Sequence, residues 1–487
     1  MTFENLVWSL DEDTNFSSDS PVTAKTLNLN NHSLTLSSQD SDITVTDNLT
    51  LNDSSEQILT GSADLILSDA VIVEEGKISS TAGLISFKKG VLQSGGSLDF
   101  TDSTFRLGDN FAKTSGNLTT SLDGTILELT DDLSFSSDSA ISVKKINLND
   151  KTLTMASETS DMVVNEEIIL NEIGEKIITG SADLLLNGIL NVSEGSLESS
   201  DGALTFLGGI NQTGGILNIE NSIIRLNSDL TKSAGSLQIS GSTITPLSTL
   251  NITSNTAITA KTIELSGKTI SLGSENTDLV LTENFSIQSE GSVLNTGSAD
   301  LTVEGVMTLE NGLVGSNGGS ITFKSGYTQS GESKLELLNS TLILGAEFSK
   351  TSGEIISSSS NLNLLNNVTL TSNSELIFKQ LNLNDLKLTL GSSDSNLEIS
   401  SDLTLDNSNE QLLTGLADFK LSGLLIASSG TLSSTSGAIS ILGGAQLSGT
   451  GKLDLTGSSF NFGGNLNKSG GTLTLSQTNF KLESDSI

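Results

Sequence analysis

The sequence predicts an all-β fold, a single-stranded right-handed parallel β-helix built from four tandem repeats, each of about six turns of about 20 residues. Three observations carry that prediction. A nine-residue phrase occurs four times: LTGSADLIL from Leu59, ITGSADLLL from Ile178, NTGSADLTV from Asn295 and LTGLADFKL from Leu413. Its Asp falls at Asp64, Asp183, Asp300 and Asp418, in steps of 119, 117 and 118 residues. Inside each repeat a finer period places Gly76, Gly96 and Gly116 in steps of 20, echoed by Gly195, Gly215, Gly235 and by Gly430, Gly451, Gly471. Between the glycines the apolar residues alternate, as in Leu27-x-Leu29, Leu98-x-Phe100 and Leu473-x-Leu475. Alternation of period two is the pattern of short strands with one buried face.

Two further markers keep the long period. One has lysines at Lys25, Lys144, Lys261 and Lys379; the other, the FAKTSG type, has them at Lys113, Lys232, Lys350 and Lys468. The repeats then run 6–124, 125–242, 243–361 and 362–479, after a leader of 1–5 and before the start of a fifth copy at 480–487. No proline-rich or charged linker separates them, so the expectation is one continuous solenoid. Coils ~4.8 Å apart make a repeat ~28 Å tall and the whole array ~120 Å long. The right-handed sense follows from the handedness of parallel crossovers. The alternative is a string of β-sandwich domains, which calls for linkers and turn signals every ~8–12 residues.

The phrase reads as a corner rather than a ligand site. Its Gly (Gly61, Gly180, Gly297, Gly415) and its Asp occur in all four copies, but Ser62, Ser181 and Ser298 become Leu416. A catalytic or metal-binding hydroxyl is not expected to become Leu. The glycine supplies a left-handed turn, and the carboxylate caps backbone N–H groups before the next strand. The pairs Asn30-Asn31, Asn149-Asp150, Ser266-Gly267 and Asn384-Asp385 read as a second turn. His32, the only histidine, follows the first pair, where the other copies have Lys151, Lys268 and Leu386, so it reads as turn surface. The recurring lysines are expected along exposed corners beside carboxylates, in pairs worth ~0–1 kcal/mol.

Composition excludes several classes. With 23 basic and 58 acidic residues the net charge is −35. Nucleic acid and anionic membrane surfaces both need a basic footprint. The absence of Cys removes disulfides, thiolate metal sites and cysteine nucleophiles. A single His leaves no triad, and the expectation is that the chain is not an enzyme and needs no cofactor. Asp11, Glu12 and Asp13 are the nearest thing to a Ca²⁺ cluster, although they match no calcium-loop motif. The one Trp, Trp8, is expected to cover the first turn, and the one Tyr, Tyr327, aligns with Val91, Ile210 and Ala445 and is expected in the core.

Over nearly its whole length the chain resembles the β-helical repeat regions of large bacterial surface proteins, the autotransporter passengers and filamentous-haemagglutinin-like adhesins. The resemblance rests on the Ser/Thr/Asn/Gly-rich composition, on GSL- and GTL-type turns such as Gly96-Ser97-Leu98 and Gly430-Thr431-Leu432, and on the period. It implies an extracellular structural or adhesive rod on a bacterial surface, exported by a signal that MTFENLVWSLDED does not provide. The implied partners are the chain itself, head-to-tail or laterally, other surface components, or a glycan. A carbohydrate-binding or carbohydrate-active β-helix is the alternative, and such enzymes use paired acids in a groove.

Overall fold

The computed structural model describes residues 5–482, so the leader (save Asn5) and 483–487 of the fifth copy lie outside the described residues. The fold divides into two compact parts, Met1–Thr243 and Ile244–Ile487. Each part is a β-solenoid. The described residues form short strands and turns and no helix. Within each part the strands pair in parallel, one coil above another.

In the first part Leu49, Val71, Val91, Phe111, Phe135 and Met155 follow one another as register partners up one interior column. In the second part Phe285, Met307, Tyr327, Phe348 and Leu370 do the same. The step between partners is 20 residues at Val71 and Val91, and 24 where a longer turn intervenes at Leu34 and Ile58. Alternation decides which side chain enters: Val71 and Val73 are buried and Ile72 between them is not. Each Leu, Ile or Phe sealed in this way contributes ~1.5–3 kcal/mol.

The interior takes more rings than the low aromatic content suggests. Phe111 and Phe135 stack at 5.0 Å, and Tyr327 stacks between Phe323 at 4.7 Å and Phe348 at 4.9 Å. Parallel in-register pairing lays one ring flat on the ring a coil below. Tyr327 is in the core as expected, and burial pushes its phenol well above its ordinary range. Trp8 packs edge-on against Phe16 at 4.9 Å.

The solenoid is not uniform along its axis. At the junction of the first two repeats the columns ending in Asn117–Thr119 and Lys145–Asn147 stop. New columns start at Ile141–Val143 and Ile168–Leu170. The column through Phe111 and Phe135 continues across. In the second part Glu354–Ile356 and Gln380–Asn382 stop, and Leu376–Phe378 and Leu403–Leu405 begin. Each such junction therefore interrupts two of three ladders and leaves one to carry the register.

Candidate functional site

The repeated phrase is a corner, built the same way four times. Gly61, Gly180, Gly297 and Gly415 have φ of 59°, 57°, 59° and 58°. A Cβ on Gly61 would meet nothing closer than 4.0 Å, so conformation and not space selects glycine there. The turn closes through Ala63 N–H donating to Thr60 O at 2.9 Å, with equivalents at Ala182, Ala299 and Ala417. The register slips by one residue at each of these glycines, a β-bulge.

The Asp of the phrase does cap a backbone N–H, but one coil up. Asp64 Oδ1 accepts from Leu84 N–H at 2.8 Å, Asp183 from Ala203, Asp300 from Ser320 and Asp418 from Ala438. The N–H of each Asp is itself capped from below, by Asp42, Asp161, Asp278 and Asn396. The acidic corners are thus a two-step ladder of caps. The other turn also behaves as read: Asn30 and Asn31 have φ of 52° and 65°, and His32 N–H donates to Leu29 O at 3.0 Å. His32 Nδ1 lies 3.8 Å from Asp13.

Asp13 accepts from Ser33 N–H at 2.8 Å, and that bond holds its carboxyl below the ordinary range. Among the described residues no group of three or more acidic or histidine side chains is placed to hold a metal, and Asp11, Glu12 and Asp13 do not converge.

Three of the four FAKTSG-type lysines are not on exposed corners. Lys113, Lys232 and Lys350 are 3–4% exposed. The reason is the strand alternation: Phe111 and Lys113 lie on one face, as do Leu230 and Lys232, and Phe348 and Lys350. Each aliphatic stem runs inside the coil, and the ammonium groups of Lys113 and Lys350 reach the next turn above. Lys113 bonds the Asp138 carboxylate and Ser139 Oγ. Lys350 donates to Asn373 Oδ1 at 2.7 Å and Ser374 Oγ at 2.9 Å. The Lys113 ammonium holds the Asp138 carboxyl below its usual range, and burial lowers the amines of Lys232 and Lys350. Lys468 is exposed. The other marker agrees with expectation: Lys144 and Lys261 lie 3.7 Å from Glu166 and Glu283 as half-exposed pairs.

Directly below each buried lysine in register is a buried glutamine: Gln93, Gln212 and Gln329. Gln93 Nε2 donates to Asn117 O at 2.9 Å, and Gln329 Nε2 to Glu354 O at 3.0 Å. Asn117 and Glu354 open the strands whose columns end at the junctions. The lysines hold the turns just before Ile141–Val143 and Leu376–Phe378, where new columns begin. The Gln–Lys pair therefore bonds both sides of a ladder break.

Two other recurring groups escaped sequence reading. Glu56, Glu175 and Glu410 are 6–8% exposed and cap the turn before them. Glu175 Oε2 accepts from Asn171 N–H at 2.7 Å and Glu410 from Asp406 N–H at 2.7 Å. In the third copy Ser292 stands at this position and caps a different turn, one coil below, accepting from Gly267 N–H at 2.8 Å. Their spacing matches the repeat, and that was the available signal. Shallow notches also open at ladder breaks, of about 170 Å³ beside Asn147 and Glu167, 320 Å³ beside Glu264 and Asn284, and 200 Å³ beside Asn382 and Asp402. Asn147, Asn149 and Glu175 of the first recur as Asn382, Asn384 and Glu410 of the third, where the second has Glu264, Ser266 and Ser292, and an unpaired strand edge is common to all three. Comparison with protein families, with curated proteins and with solved structures finds no match for this chain.

Proposed function

We propose that the chain is an extracellular structural or adhesive repeat protein of a bacterial surface, of the kind found in autotransporter passengers and filamentous-haemagglutinin-like adhesins, with no enzymatic role. One observation carries the reading: the polar side chains that recur with the repeat are spent on the coil's own turns and ladder breaks. The Asp ladders, the buried Glu and the Gln–Lys pairs cap turns or bridge ladder breaks. Groups committed in this way are positioned for the coil, not for a substrate.

The reading includes self-assembly. Asn479–Leu482 holds the same repeat phase as Val7–Ser9, and it exposes Phe480 and Leu482. Phe480 pairs with Phe460 below, and Trp8 pairs with Leu27 above. Strands of this phase already stack repeat on repeat, Phe105 with Leu127 and Leu342 with Leu362, and the same parallel pairing between copies would be an open, non-closing contact. Negative-stain electron microscopy of the purified chain, with and without millimolar Ca²⁺, tests this. Filaments longer than one chain support assembly. Single particles at every concentration, together with failure to reach the cell surface in fractionation, would sink the proposal.

The polar notches favour a second reading, a carbohydrate-binding solenoid, because hydroxyl and amide groups line them beside free backbone edges. A glycan array separates the two: saturable binding abolished by substitutions at Asn382 and Asp402 would favour the second.

A further inference from the structure

The Gln–Lys pairs leave an acceptor unused. Gln93, Gln212 and Gln329 each have a buried side-chain Oε1 that accepts no hydrogen bond from the protein. The amide orientation is fixed, because each Nε2 donates to backbone carbonyls, Gly95 and Asn117 for Gln93 and Ser333 and Glu354 for Gln329. A buried carbonyl oxygen left unbonded is destabilising, because it has given up its water without a replacement. Repeating that cost three times at one phase calls for a partner.

The lysine above supplies half of it. An ammonium has three N–H donors. Lys113 directs its bonds to Asp138 and Ser139, and Lys350 to Asn373 and Ser374, which leaves each with a third donor. The missing group must donate to an amide oxygen and accept from an ammonium. A metal cation would be repelled by the ammonium, and an anion by the amide oxygen. A neutral donor–acceptor of the smallest size remains. We propose that a single water molecule is bound against each of these oxygens, Oε1 of Gln93, Gln212 and Gln329, and at Gln93 and Gln329 joins it to the ammonium of Lys113 and Lys350 one coil above. Buried waters of this kind bridge polar groups that cannot reach one another. In the fourth copy Leu447 stands in the glutamine position beneath Lys468.

A crystal structure of the full chain that shows ordered water tests this, together with one of the Gln329→Leu variant. The expected result is water within hydrogen-bonding distance of Oε1 at all three glutamines, lost at position 329 alone in the variant. Gln93 and Gln212 serve as internal controls. Direct bonding of Oε1 to the lysine or another protein donor overturns the proposal, as does empty density at Gln93 and Gln212 or a peak with metal coordination. If the variant does not crystallise, oxygen-17 relaxation dispersion counts long-lived internal waters in solution. The variant should hold one fewer, and an equal count overturns the proposal.

Discussion

The ammonium of Lys350 lies 2.7 Å from the side-chain oxygen of Asn373, where a buried lysine stem meets an exposed turn. At the matching junction of the first part the same reach ends on a carboxylate, that of Asp138. One cation is paired with an amide and the other with an acid, at one repeat phase.

That difference predicts a stabilising change. Asn373→Asp places a carboxylate where Asp138 stands and turns the amide contact into an ion pair. Because Asn373 is exposed, screening limits the gain to ~0.5–1 kcal/mol. A rise in the urea midpoint at pH 7 in low salt, shrinking in high salt, is the expected outcome.

The pH dependence of the two junctions has the same sign, stability rising with pH, in two different windows. Burial lowers the Lys350 amine, so the folded state releases its proton before the unfolded one does. Below the folded pKa the full cost of the buried charge is present, and it is relieved as pH rises toward the unfolded value of about 10.4. Lys350→Met should therefore abolish a rise in stability on the alkaline side, read as the difference between wild-type and variant midpoints across that window.

At the other junction Lys113 lowers the Asp138 carboxyl. The stabilisation is fully present above the unfolded Asp value of about 3.9 and is lost as pH falls through the lower folded value. Asp138→Asn should flatten acid unfolding of the first part. An unchanged acid midpoint by circular dichroism would remove Lys113–Asp138 from the account.

Much of this architecture was legible because a repeat prints its constraints several times. The corner phrase, the Asn-Asn-type turns and the burial of Tyr327 all follow from which positions tolerate change. The buried lysines are harder to read, because their charge argues for the surface while alternation argues for the core. Phe111-x-Lys113 and Phe348-x-Lys350 place the lysine on the inward face by the same period that buries the phenylalanine. The ladder breaks were less accessible still. They depend on which strand pairs with which, and the local pattern of Asn117–Thr119 looks like that of any paired strand.

The corner glycines and the close-contact glycines should respond differently to a methyl group. Gly61→Ala meets no atom within ordinary contact but must hold φ near 59°, at a cost of ~1–2 kcal/mol. Gly83→Ala would place its Cβ 2.2 Å from Ala63 O, and the coil must part to admit it. Gly61→Asn should recover part of the loss, since Asn tolerates the left-handed region. No substitution at Gly83 should recover it. Denaturation midpoints of the three variants check the order.

The Asp ladder gives the sharpest test, because the chain already contains its own substitution. Asn396 stands where the other copies have Asp42, Asp161 and Asp278, and its Oδ1 still caps Asp418 N–H at 2.8 Å. The cap therefore needs an acceptor oxygen and not a charge. Asp64→Asn should keep the bond to Leu84 N–H and cost a few tenths of a kcal/mol, while Asp64→Ala should cost ~1–2 kcal/mol by leaving that donor without its partner. Equal losses for Asn and Ala would mean that the carboxylate acts through charge. In that case Asp64 would have to be reconsidered as part of a cation or ligand site, against the reading of the phrase as a corner.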